Sequence, residues 1–137
     1  MPAQHMGRCG DAFLSEGQVQ LAANHPAEAV ALLEAAVKMS SKAEEARTAL
    51  ATAKDRAEVA QLVLSARARL EKAKTAETFD EKTSALGEAK AKVEAALSKS
   101  PADADAKALR KSIVGQQAAL RQRAKQATEK AKQAGHE

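Results

Sequence analysis

Aromatic side chains are nearly missing from this sequence: there is no Trp, no Tyr, and only Phe13 and Phe79 among 137 residues. That excludes a core built on large rings and leaves almost nothing to stack against nucleic-acid bases. The single cysteine, Cys9, excludes an internal disulfide and fits a reducing compartment. No apolar run approaches the roughly 20 residues of a membrane span. The first 25 residues lack the apolar core of a secretion signal. The expectation is a soluble, cytoplasmic protein. β-Branched residues are sparse and no run alternates with period two, which excludes a sheet. There is no Gly-rich phosphate loop, dinucleotide fingerprint or zinc-ligand spacing.

What the chain has instead is alanine, lysine, glutamate, glutamine and leucine, all strong helix formers. The fold class is therefore all-α, with antiparallel helical hairpins stacked as a short solenoid or bundle of five helices. The hydrophobic fraction is 45%, but much of it is alanine. At about 25 cal/mol per Å² of apolar area buried, alanine contributes little, so the core must be thin and its helices closely spaced. Gly7 and Gly10 suggest a frayed tail over residues 1–10. A first helix is expected over Asp11–Ala23. A second runs over Pro26–Met39, with Pro at the first helical position, where no N–H is needed. Ser41 and Glu44 have capping-box spacing, and a long third helix follows over Lys42–Lys74. It carries one stripe at Ala43, Ala46, Leu50, Ala53, Ala57, Ala60 and Leu64. A second stripe starts at Val59, Val63, Ala66, Leu70 and Ala73, which predicts different neighbours for its two halves. Thr78 and Glu81 predict the start of a fourth helix over Phe79–Lys99, interrupted by Gly87. Ser100, Pro101 and Asp103 predict the start of a fifth. Its packed face is Ala106, Leu109, Ile113, Gln116 and Leu120. The resulting division is a flexible tail (1–10), a helical domain (11–120) and a basic helical extension (121–137).

Within residues 11–41, Phe13, Gly17, Asn24, Ala29, Leu33, Ala36 and Ser41 are spaced as in a helix–turn–helix unit. The pattern resembles one tetratricopeptide repeat, a unit of about 34 residues that stacks on copies of itself. Glu16 and Gln20 depart from it, standing where the family usually has Leu and Tyr, and Ser41 replaces the closing Pro. A partial second copy, Ala89, Val93, Ala96 and Pro101, follows at a spacing of sixty. The resemblance covers about half the chain. It implies that the first helix lines a surface receiving a peptide or partner helix, through Asp11, Leu14, Gln18, Leu21 and Ala22. Leu14 and Gln18 occupy two positions where carboxylate-clamping members carry Lys and Asn, so an apolar helix-in-groove contact is the expectation.

Nucleophilic catalysis needs a base beside a nucleophile and a group to orient it. The three histidines are His5, His25 and His136. His25 adjoins Pro26 and reads as a turn residue. His5 and Cys9 are four apart, but two ligands make no metal site and Gly7 lies between them, so Cys9 reads as an exposed thiol. Asp103 and Asp105 are explained by the helix start they occupy. No catalytic residue, metal or cofactor is expected, and the chain is not read as an enzyme. The formal charge of +4 is uneven: residues 106–137 hold eight basic and two acidic residues, against fourteen and sixteen before them. Arg110, Lys111, Arg121, Arg123 and Lys125 form a basic patch. The function expected is a non-catalytic protein-interaction or scaffold module that binds a partner helix or peptide and self-associates through its third and fifth helices. The alternative is a nucleic-acid-associated protein holding phosphates along the basic last helix.

Overall fold

The computed structural model describes the backbone of residues 2–135 and the side chains of residues 8–135. It is all-α, with five helices and no strand among the described residues: α1 (Pro2–Ala22), α2 (Pro26–Met39), α3 (Ala43–Thr75), α4 (Phe79–Lys99) and α5 (Ala104–Gly135). The chain divides into two compact units, Met1–Glu58 and Val59–Glu137, so the boundary falls within α3 rather than near either end.

In the first unit α1 and α2 form an antiparallel hairpin that turns at Asn24, the one non-glycine described with positive φ (64°). Asparagine tolerates this left-handed conformation better than most residues. Pro26 stands in the first turn of α2, as expected, but the N-cap residue His25 makes no side-chain cap bond. Two glycines seven residues apart set the hairpin spacing. A Cβ at Gly10 would collide with the backbone of Met39 and Ser40, and one at Gly17 would lie 2.7 Å from Leu33. This requirement accounts for α1 running through Gly10, where the sequence predicts a start at Asp11; the helix begins at Pro2. Gly10 is buried inside the crossing, where its missing side chain gives more than its weak helix propensity costs, and Pro2 suits a first turn. Leu14, Ala29, Leu33, Ala36, Ala46 and Ala53 form the core.

The second unit packs the later part of α3 with α4 and α5. Val59, Val63, Ala66, Leu70 and Ala73 meet Ala85, Leu86, Ala89, Val93 and Ala96, with Ala106, Leu109 and Ile113 closing the core. The change of stripe along α3 is thus real: Ala46 and Ala53 serve one core, and Val59 onward serve the other. The first stripe ends sooner than its spacing suggests, because Ala60 is exposed and Leu64 is 58% exposed. Thr78 caps α4, its hydroxyl accepting from the Glu81 N–H at 3.1 Å. The start of α5 differs from expectation. Asp103 is the cap, its carboxylate accepting from the Ala106 N–H at 2.9 Å, while Ser100 closes α4 with its N–H on the Ala96 carbonyl. Gly87 and Gly115 lie within helices, with nothing near the place a Cβ would take, so neither marks a turn or a close crossing.

Candidate functional site

The row expected to face a partner on α1 is largely engaged inside the first unit. Leu14 is 3% exposed and belongs to the core, which takes its side chain out of any partner surface. Gln18 donates to Glu45 at 3.1 Å, and Arg56 donates to the Leu21 carbonyl at 3.3 Å. Leu21 is half-buried, and Ala22 alone of the row is exposed without such a contact. The helix phase accounts for this: Asp11, Gln18 and Ala22 flank the buried face of Gly10, Leu14 and Gly17, on the side where α3 begins. Val19, 57% exposed, lies opposite the buried face.

Asp11 fastens the α2–α3 turn. Its carboxylate accepts from the Ser40 hydroxyl at 2.6 Å, the Ser41 N–H at 3.2 Å and the Ser41 hydroxyl at 3.1 Å. Ser40 Oγ in turn accepts from the Lys42 N–H at 2.9 Å. The Ser40 hydrogen bond above all holds the Asp11 carboxyl below its ordinary range. The Ser41 bonds and the charge of Lys42 act in the same direction, against partial desolvation. The Ser41–Glu44 capping box expected from the sequence does not form: the clasp engages Ser41, and the N–H groups it satisfies are those of Ser41 and Lys42, in the turn ahead of α3.

Cys9 is half-buried on α1, not an exposed thiol. The His5 side chain and His136 lie outside the described residues. His25 is exposed, with Nδ1 3.0 Å from the Gln20 amide oxygen. Among the described residues there is no group of metal-ligating side chains, and no helix is long and apolar enough to cross a membrane.

The basic residues of α5 separate into two sets. At about 100° per residue, Arg110, Lys111, Arg121 and Lys125 share one face with Lys107, whereas Arg123 turns to the other side. There Arg123 joins Lys74 and Lys82 around a notch of about 240 Å³ floored by Ala73, Leu86 and Leu120. On the first face, Lys107, Arg110 and Lys111 line an open groove of about 460 Å³ with Leu97 and Val114. Val114 is 40% exposed, and Arg110 lies 3.9 Å from Glu94, a loose pair. The side chains of Lys107, Lys111, Arg121 and Lys125 make no hydrogen bond or ion pair among the described residues. From Arg121 to Gly135 every residue is exposed except Ala124. Sequence reading missed Lys107, Leu97 and Val114 as part of this surface. The signal for two of them was present, since Lys107, Lys111 and Val114 step by four and three. Leu97 joins only through the pairing of α4 with α5. Comparison with protein-family models, with curated proteins and with solved structures gives no match to this chain.

Proposed function

We propose that this chain is a non-catalytic interaction module of the cytoplasm, arranged like a tetratricopeptide-type hairpin array, that holds a partner helix or a second copy of itself. The observation carrying the reading is Leu64. It stands 58% exposed about two-thirds of the way along α3, one turn after the exposed Ala60, on a face outside the core of its unit. Fully burying a leucine side chain contributes about 1.5–3 kcal/mol, and covering the 58% of Leu64 still exposed would contribute about half of that, which makes it the natural anchor on so thin a surface. The glycine-spaced α1–α2 hairpin, with its left-handed turn at Asn24, supports the repeat-like arrangement.

Light scattering and chemical cross-linking of the wild type and L64E test this. The expected result is a complex, with itself or with a co-purified protein, that persists at high salt and is lost in L64E while the helical content stays the same. Mass and cross-linked products identical in the two proteins would refute it. Binding that disappears at high salt and ignores L64E would favour phosphate contacts along α5 instead.

A further inference from the structure

We propose that the α4–α5 face of the second unit docks an acidic amphipathic helix of a partner protein. The inference rests on the interaction-module reading but uses a surface separate from Leu64. Its organisation is that of an interface, with an apolar middle and a charged rim. Leu97 and Val114 line the open groove, and Ala118 follows Val114 on the exposed face of α5. Lys107, Arg110 and Lys111 flank this middle on one side, and Arg121 and Lys125 continue the same face on the other. Between Asp105 and Glu129, α5 carries no acidic residue. Glu94 on α4 holds Arg110 only loosely at 3.9 Å. Charge complementarity therefore asks for carboxylates at both ends of the occupant and apolar side chains at its centre.

The shape favours a helix. Two antiparallel helices leave a straight groove, into which the side-chain ridge of a third can pack. From Lys107 to Lys125 the face extends about 27 Å at 1.5 Å per residue, so a helix of about 18 residues would span it. A nucleic-acid backbone fits less well. Its charge is continuous, one per about 1.7 Å of duplex, whereas the two cation clusters here are separated by about 15 Å of cation-free helix. That gap holds an exposed valine, which a phosphate track would leave in water.

The test is fluorescence anisotropy with a labelled synthetic peptide, apolar over its two central turns and glutamate-rich at both ends. A scrambled peptide of the same composition and a short DNA duplex are the comparison probes. The expected result is that the patterned peptide binds in preference to the scrambled one. V114D should weaken binding about tenfold or more with every cation still in place. K107E/K111E and R121E/K125E should each weaken it by a similar factor. These positions are all exposed, so circular dichroism should show unchanged helicity. L64E should bind the peptide like the wild type, so this proposal and the reading of Leu64 fail separately. Three results would overturn the proposal: no peptide binding, equal binding by V114D or by the scrambled peptide, or tighter binding of the duplex that V114D leaves untouched.

Discussion

Gly87→Ala and Gly115→Ala should stabilise the second unit, while Gly10→Ala should destabilise the first. All three glycines lie inside helices, so a reading by propensity alone would assign each substitution the same gain, about 1 kcal/mol. Their surroundings differ. A Cβ at Gly87 or Gly115 enters open space, and the two sites sit on different helices with no shared neighbour. Their gains should then add to about 2 kcal/mol. For a unit of this size each kcal/mol raises Tm by about 4–8 °C, so the double variant should melt about 8–16 °C higher. At Gly10 the obstacle is the backbone of Met39 and Ser40, which cannot rotate away as a side chain could. The hairpin must open, and overpacking of this kind costs about 1–3 kcal/mol. The upper end of that range exceeds the propensity gain and leaves a net loss of about 2 kcal/mol. Gly17→Ala is the intermediate case, because its obstacle is the Leu33 side chain, at Cγ and Cδ2, and not backbone, and its net loss should be smaller than that of G10A. Thermal unfolding of G87A/G115A, G10A and G17A by far-UV circular dichroism is sufficient. A Tm for G10A at or above that of the wild type would refute the argument from the crossing. No rise in G87A/G115A would refute the claim that these positions are open.

Asp11→Asn should lower the Tm of the first unit at neutral pH. Because the folded-state pKa of Asp11 lies below its unfolded value, its contribution is present above the unfolded value, about 4, and is lost as pH falls through the folded one. The gap in Tm between wild type and D11N should therefore close in acid, and a gap independent of pH would contradict the clasp. Asp103→Ala should cost about 1 kcal/mol as loss of an N-cap, whereas Ser100→Ala should cost only a few tenths. Equal losses by urea denaturation would return the start of α5 to Ser100. Ile113→Ala, at a fully buried site, should cost about 2–5 kcal/mol, and a smaller loss would show that the second core collapses readily around a cavity.

How much was legible in the sequence depends on whether a feature is decided locally. Pro26 and Thr78 act through their own backbone and the next turn, and α2 and α4 begin where those residues place them. The change of stripe at Val59 was also legible, because period and hydrophobicity are properties of one helix. The splitting of the basic patch was available as well: at helical spacing, Arg123 cannot share a face with Arg121 and Lys125. Features fixed by a neighbour were not. Gly10 reads as a breaker until α2 is laid across it, and then the missing side chain is what lets α1 run through. Ser100 and Asp103 both look like caps, and the competition is settled because Ser100 is already closing α4. Leu14 is expected on the partner surface from the tetratricopeptide-like spacing, and that spacing does not say which face of α1 the core of this chain takes. The same ambiguity bears on function. When core and surface faces are both made of small apolar residues, the informative positions are the few large side chains left outside: Val19 on α1, Leu64 on α3, Phe79 at the start of α4 and Val114 on α5. Covering them costs the fold nothing, and a partner gains the apolar transfer energy of the part still exposed, 58% of Leu64 and 40% of Val114, less the cost of association.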